Sequence, residues 1–472
     1  MLRAQDILTS GRPPELAGRK ATVLGLARSG MAVARLLHQH GSQVLVSDSA
    51  QSESLQAAAT QLHAAGIKTE IGRHSAKTLK CDFLVRSPGV PATNPILIEA
   101  RQRGVLVVSE IEVAFWLCHA PIVAVTGSNG KTTTVEWLGD VFRRAKRPVA
   151  VCGNVGHPFS AAVSDLPPGG VAVVEVSSFQ LENTLLFSPR LALITNFSPD
   201  HLDRYDDYDA YLKAKCRIFE RLKPDAALVF NRSDVELRRR IQGAPGRKLS
   251  FGRDTVKDMG AGLQSDHIEI LDGLNRRRLL SKYSLSLPGA HNLENALAVA
   301  CAATDMGMDD AIIAESLRSF RGVAHRLEKV LERGGVLWIN DSKATNIASG
   351  LVALESFDRP IILLAGGRDK GSDFAAVAQP VANKTRRVIL FGEAALLMEK
   401  AWAKTLPATR VGSLRDAVKA AAAEAQSGDV VLLSPMCASF DEFKNYEDRG
   451  EKFKKWVREY AAQDSEESHP GH

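Results

Sequence analysis

Twelve short apolar runs recur along the chain, and each stops at a small or polar residue before a helical pattern begins. They read "ATVLGL", "QVLVSD", "DFLVRSPG", "VLVVSE", "PIVAVTG", "VAVVEVSS", "LALITNF", "AALVFN", "GVLWINDS", "PIILLAGG", "RVILFG" and "DVVLLSP". Runs this continuously apolar predict strands covered on both faces, hence parallel sheets flanked by helices. Twelve strands are too many for one compact sheet of this kind, and 472 residues exceed one ordinary core. The expected fold class is therefore α/β with several domains. Boundaries near "SEIEVAFWL" and "RGVAHRLEKV" divide the chain into 1–109, 110–322 and 323–472. Between Lys248 and Pro288 the pattern changes. "DHIEILDG" and "KYSLSLPG" nearly alternate, which predicts an antiparallel excursion.

Composition excludes several function classes. A 45% hydrophobic and 24% charged chain is that of a soluble globular protein, and a net charge of +6 is too diffuse for a nucleic-acid partner. The clusters Arg238–Arg240 and Arg276–Arg278 read as solvated surface. No two of the six cysteines have CxxC spacing, which points to free thiols in a reducing cytosol. No apolar run approaches a membrane span and the N-terminus lacks a signal-peptide core, so the expectation is a cytoplasmic protein without membrane insertion. A monomer is expected.

In open parallel sheets, ligands bind beyond the carboxyl ends of the strands. The unusual polar clusters lie there. "TGSNGKTTT" offers Gly127 and Gly130 for close backbone approach to phosphate, Ser128 and Asn129 between them, Lys131 for charge, and Thr132 or Thr133 for Mg²⁺. Val135, Leu138 and Phe142 on one face of the following helix turn its N-terminus toward the anion. The usual first glycine of such a loop is here Val125. Glu175 interrupts the apolar run "VAVVEVSS", and a buried carboxylate needs a pair or a metal. His201, after Asp200 in "NFSPDHLDRY", is either structural or a metal ligand.

"VLGLARSG" with Asp48 about 20 residues later nearly matches a dinucleotide fingerprint, but Ala27 replaces its middle glycine. The turn either binds a ribose or base edge through Asp48 or is an empty Rossmann turn. A third set of polar strand ends, "WINDSKATN", "LLAGGRDKGSDF" and "LLSPMCASFDEFKNYEDRG", implies a binding edge for an anionic ligand such as a carboxylate.

Taken in order, "TGSNGKTTT", "EVSSFQLE", "NFSPDHLDRY", "HNLENALA", "AHRLE" and "NDSKATN" resemble the Mur ligase family over nearly the whole chain. "GGRDKGSDF" and the last cluster resemble its D-glutamate-adding members. The resemblance implies three domains: a Rossmann-like N-terminal domain for the UDP substrate, a P-loop-type central ATPase domain, and a Rossmann-like C-terminal domain for the amino acid. It implies an ATP- and Mg²⁺-dependent amide ligase, with two ions, joining D-glutamate to UDP-N-acetylmuramoyl-L-alanine through an acyl phosphate. It assigns Arg28, Ser29, Asp48, Ser49, Ser87, Gly89, Gly153, Asn154, Ser177 and Gln180 to the UDP substrate. Asn295, Arg326 and Asp341 join the loop in binding ATP. His201, Thr345, Lys370, Ser439, Phe440 and Tyr446 take D-glutamate. Thr132, Glu175, His201 and a carbamylated Lys215 hold metal, and Lys131, His201 and Lys215 are the catalytic set. A ligase for another amino acid, folylpolyglutamate synthase, a partner-moving ATPase and a silent nucleotide-binding module are the alternatives.

Overall fold

The computed structural model describes residues 2–154, 156–198, 204–369 and 371–467. It forms two compact units, Met1–Phe320 and Arg321–His472. The first unit holds two sheets. One comprises β1 (Lys20–Leu24), β2 (Gln43–Asp48), β3 (Lys68–Ile71), β4 (Phe83–Arg86) and β5 (Leu106–Ser109), ordered β3-β2-β1-β4-β5 and parallel throughout.

The second contains β6 (Ile122–Thr126), β7 (Val149–Gly153), β8 (Val171–Glu175), β9 (Leu191–Ile194), β10 (Ala227–Asn231), β11 (Arg247–Phe251), β12 (Gly260–Gln264), β13 (His267–Asp272) and β14 (Asn275–Ser281). Its order is β14-β13-β12-β11-β10-β9-β6-β8-β7, parallel except for the β12–β13–β14 meander. The sheet of the second unit has β15 (Glu328–Arg333), β16 (Val336–Asn340), β17 (Ile361–Gly366), β18 (Thr385–Phe391), β19 (Ala408–Arg410) and β20 (Val430–Met436). The order is β15-β16-β20-β17-β18-β19, and only β15 runs antiparallel to its neighbour.

All twelve apolar runs are strands, and the central sheet explains why they lack alternation. Val123, Val125, Val173 and Leu193 face one core with Val135, Leu138 and Phe142 of the helix Lys131–Arg144. Ala124, Val174 and Ile194 face another with Phe159 and Phe219. Both faces are dry, so both parities must be apolar. One expectation fails in detail. Within "KYSLSLPG", Lys282–Ser284 forms a 3₁₀ turn, while "NRRRLLS" supplies the last strand of the excursion. Its arginines fit there because each finds an acid: Arg276 and Arg278 bind Glu269 at 3.0 Å, and Arg277 binds Asp310 at 2.7 Å. Likewise Arg239 and Arg240 pair with Glu236. The six cysteines are free thiols, five of them buried.

Glu112, on the helix Glu110–Leu117 between the two sheets of the first unit, is fully buried. Its carboxylate accepts the N–H groups of Leu185 (2.8 Å), Leu186 (2.7 Å) and Phe187 (3.1 Å) and the Trp116 indole N–H (2.7 Å). Burial raises its pKa, and these donors oppose the rise. Removing an acceptor that satisfies four buried donors should lower the unfolding free energy by about 3 kcal/mol or more in Glu112→Ala. Glu112→Gln should be little better, because its NH₂ faces N–H donors. Denaturant titration checks both, and a Gln variant as stable as wild type contradicts this account.

Candidate functional site

The loop after β6 is built for close approach. Gly127 (φ 141°) and Gly130 (φ 83°) both occupy backbone regions that favour glycine. A Cβ at Gly127 would lie 2.0 Å from Thr195 Oγ1, and one at Gly130 would lie 2.4 Å from Asn295 Oδ1. The loop is laced to the residues following β9. Ser128 N–H donates to Asn196 O (2.9 Å) and Ser128 Oγ to Ser198 O (2.8 Å). Asn129 N–H donates to Asn196 Oδ1 (3.0 Å), and Thr195 Oγ1 donates to Asn129 O (2.6 Å). The helix Lys131–Arg144 begins without a side-chain cap, so its first N–H groups and dipole face the loop. Thr132 and Thr133 are both buried in this first turn.

Two lysines meet at one carbonyl. Lys131 Nζ donates to Gly127 O (2.8 Å) and Ser128 O (2.9 Å). Lys215 Nζ, from the helix Tyr208–Cys216, donates to the same Gly127 O at 2.8 Å. Lys215 is 2% exposed, with its ammonium 4.5 Å from the centre of the Tyr211 ring. Glu175 ends β8 opposite Val125 of β6 and is 2% exposed. Its Oε1 accepts from Asn154 Nδ2 (3.1 Å), while Oε2 is buried without a partner among the described residues. An orphaned buried carboxylate oxygen beside a phosphate loop suits a cation such as Mg²⁺, which takes one or two carboxylates plus phosphate oxygens. No group of three or more His, Cys, Asp or Glu among the described residues could hold a metal unaided. His201 lies outside the described residues.

A cavity of about 430 Å³ opens at the carboxyl ends of the first sheet. Arg28, Ser29, Asp48, Ser49, Ser87, Gly89, Asn154 and Gln180 all line it. Asp48 accepts the backbone N–H of Leu26 (2.8 Å) and of Ala50 (2.9 Å), tying the ends of β1 and β2 together. Ser177 and Gly153 adjoin the lining. Ser177 closes a capping box with Gln180, and Gly153 pairs with Glu175 across β7 and β8. Asn154 joins the two sites, since it lines this cavity and also bonds Glu175. His74 lines the cavity as well, its Nδ1 2.8 Å from Ser47 Oγ. The sequence reading missed it because it follows β3, whose "KTEI" is too polar to register as an apolar run.

On the first unit, Asn295 stands against Gly130, and its Oδ1 is 3.5 Å from Thr134 Oγ1. On the second unit, Asp341 at the end of β16 is buried and accepts Leu327 N–H (3.2 Å) and Ser434 Oγ–H (2.8 Å). The charge of Arg326 acts on it. Ser439 is buried after β20, Phe440 is 60% exposed, and Thr345 is half-buried in the turn after Asp341. Tyr446 opens the helix Tyr446–Glu467, and its carbonyl accepts Ser342 Oγ–H (2.8 Å). Arg449, also missed from sequence, gathers these ends. It is fully buried and donates to Ser342 Oγ (2.9 Å), Ser342 O (2.8 Å), Cys437 O (3.1 Å) and Ala438 O (3.3 Å). Burial holds its pKa down at about 10. Lys370 lies outside the described residues.

Fold and loop together define an α/β protein of the phosphate-loop class, with a cavity at the first sheet linked to the loop side through Asn154 and Glu175. The chain belongs to the Mur ligase family: "Mur ligase MurD-like, N-terminal domain" matches residues 19–109, "Mur ligase middle domain" 125–303 and "Mur ligase, glutamate ligase domain" 325–437. It is 44% identical over 456 residues to the UDP-N-acetylmuramoylalanine–D-glutamate ligase of Salinibacter ruber, covering 94% of this chain and 99% of that one. It is 41% identical over 446 residues to the enzyme of that name from Acidobacterium capsulatum, covering 94% and 97%. In fold it is similar to the UDP-N-acetylmuramate–alanine ligase of Thermotoga maritima, with TM-score 0.58 and 20% identity over 94% of this chain and 100% of that one. A pseudomurein peptide ligase type C from Methanothermus fervidus gives TM-score 0.56 at 20% identity over the same shares.

Burial raises the Asp341 pKa from 3.8 to about 7, with Ser434, Arg326 and Leu327 opposing the rise. The folded state thus holds this proton more tightly than the unfolded chain. Its contribution is favourable below about pH 4 and is lost as the pH rises through about 7. Asp341→Asn should therefore gain stability relative to wild type as the pH goes from 4 to 7. Melting curves across that range check it, and a pH-independent difference contradicts it.

Proposed function

We propose that the chain is an ATP-dependent ligase that joins D-glutamate to UDP-N-acetylmuramoyl-L-alanine in peptidoglycan synthesis, the reaction that its relatives' names describe. The observation that carries the reading is Asn154, which lines the first-sheet cavity and hydrogen-bonds Glu175 beside the phosphate loop. A nucleotide sugar seated in that cavity would extend its free carboxylate toward a triphosphate on the loop.

The carboxylate oxygen would attack the γ-phosphorus of ATP, and the bond to the β,γ-bridging oxygen breaks to release ADP. The acyl phosphate so formed is attacked at its carbonyl carbon by the amine of D-glutamate. The amine proton is lost, the carbon–oxygen bond to phosphate breaks, and inorganic phosphate leaves. An unactivated carboxylate is a poor electrophile, so ATP is consumed to create a leaving group. This chain's part is positioning and charge complementarity.

The loop N–H groups and helix N-terminus would bind the phosphates. Lys131, now resting on two loop carbonyls, would turn to the transferring phosphoryl group. Glu175, Thr132 and residue 201 would hold Mg²⁺, which supplies charge neutralisation. Lys215 lies at Gly127, where a carbamate on its amine would add a further anionic ligand. Asn295, Arg326 and Asp341 would serve the rest of ATP. His201, Thr345, Lys370, Ser439, Phe440 and Tyr446 would take D-glutamate. The cavity-lining Arg28, Ser29, Asp48, Ser49, Ser87, Gly89 and Gln180, with Gly153 and Ser177, would take the UDP part.

Phosphate release with ATP, Mg²⁺ and UDP-N-acetylmuramoyl-L-alanine should require D-glutamate and should not respond to L-glutamate or diaminopimelate. Release indifferent to the amino acid overturns the reading. Lys131→Ala should lower kcat by about 10²-fold or more, on the scale of removing one oriented charge stabiliser. Lys215→Ala should be inactive and partly restored by short carboxylic acids, and restoration by none of them counts against the carbamate.

A further inference from the structure

The wall of the first-sheet cavity formed by Ser87–Val90 is fastened to the central sheet by side chains that no part of the proposed chemistry uses. Arg86, the last residue of β4, is 2% exposed, although arginine is rarely buried without a specific partner. Its Nε donates to Val90 O at 2.8 Å. Its Nη1 donates to Glu182 Oε2 at 2.6 Å and to Asn183 Oδ1 at 3.0 Å. The other oxygen of Glu182 accepts the Tyr205 hydroxyl at 2.7 Å.

A second arginine holds the same wall. Arg204 Nη2 donates to Pro88 O at 3.1 Å, and its guanidinium lies 3.6 Å from the centre of the Phe179 ring. Phe179 stacks in turn on Tyr205, centroid to centroid 5.8 Å, with only 14° between the planes. Pro88 and Val90 both line the cavity. On the inner side, Ser87 Oγ donates to Gly25 O at 3.1 Å. Three points thus fix the wall, and two of them engage Glu182 and Phe179, close neighbours of Gln180 in the chain.

We propose that Arg86, Glu182, Tyr205 and Arg204 form a positioning clasp that sets the nucleotide-sugar cavity at a fixed reach from the phosphate loop. The proposal rests on the ligase reading and adds to it four residues outside the predicted substrate set. The guanidinium fork suits the task because it bonds a carbonyl and a carboxylate at once in one plane, which an ammonium cannot do. Opening the half-buried Arg86–Glu182 pair would release the Val90 carbonyl and let the wall drift, and a displacement of about 1 Å at a reacting carboxylate is enough to cost roughly 10²-fold in rate.

The test is calorimetric binding of UDP-N-acetylmuramoyl-L-alanine and, separately, of ATP with Mg²⁺, on the full chain. Arg86→Met keeps the apolar stem and deletes the fork. Through displacement of the wall it should weaken the sugar nucleotide by about tenfold or more and lower kcat at saturating substrate. Its ATP affinity should stay within about twofold of wild type. Tyr205→Phe removes one hydroxyl and leaves the stacked ring. It should shift sugar-nucleotide binding in the same direction by less, and add less than its own effect when combined with Arg86→Met, since both act through Glu182. Arg86→Lys should not restore binding. Variants that melt earlier yet bind the sugar nucleotide as wild type does would reduce the clasp to a structural tie and overturn the proposal. Should Arg86→Met fail to fold, normal binding and kcat in Tyr205→Phe would overturn it equally. A wild-type chain that binds no sugar nucleotide would instead overturn the ligase reading itself.

Discussion

The carbonyl oxygen of Gly127 accepts hydrogen bonds from two ammonium groups that arrive from different helices, Lys131 and Lys215, each at 2.8 Å. That convergence depends on everything around it. Gly127 can present its carbonyl only because its backbone holds a φ of 141° with no Cβ to strike Thr195. Thr195 is in place because β9 pairs in register with β6, Thr126 against Ile194. Lys215 reaches the loop from a buried position because Tyr211, Leu212 and Cys216 of its helix are packed inward. Both ammonium groups satisfy the loop's own carbonyl.

The second dependence runs sideways. Glu175 ends the strand beside β6, and Asn154, beyond the end of the next strand, spans from that carboxylate to the wall of the first-sheet cavity. One asparagine thus links the strand ends of the two sheets of the first unit. The Arg86–Glu182 pair and Arg204 reinforce this from the far side of the cavity, tying its wall to the segment that follows β8. In the second unit, Arg449 does comparable work by holding the ends of β16 and β20 against the start of the final helix.

What could be read from sequence follows from which interactions are local. Strands buried on both faces announce themselves as apolar runs, and the phosphate loop is a contiguous motif, so both were legible. Short or edge strands were not. β3 is "KTEI", β15 is "EKVLER" and β19 is "ATR", all partly exposed and therefore polar. β7, "VAVCG", is half-buried and too mild to stand out. The burial of Lys215 was invisible because its helix shows little separation of polar and apolar faces. Arg86, Glu112 and Arg449 were invisible for a different reason. Their partners lie far along the chain, as with Arg86 and Glu182, 96 residues apart. A charged residue next to an apolar run gives no sign of which distant group will take it.

The central claim is that ATP is consumed to convert a carboxylate into a leaving group, and the oxygen that moves records it. With the carboxylate of UDP-N-acetylmuramoyl-L-alanine labelled with ¹⁸O, turnover with D-glutamate should deliver one ¹⁸O atom to each inorganic phosphate released, read by the isotope shift in its ³¹P resonance. Phosphate that carries no label, with both labelled oxygens retained in the sugar nucleotide, would mean that water and not the carboxylate receives the phosphoryl group, and the ligase account would fall.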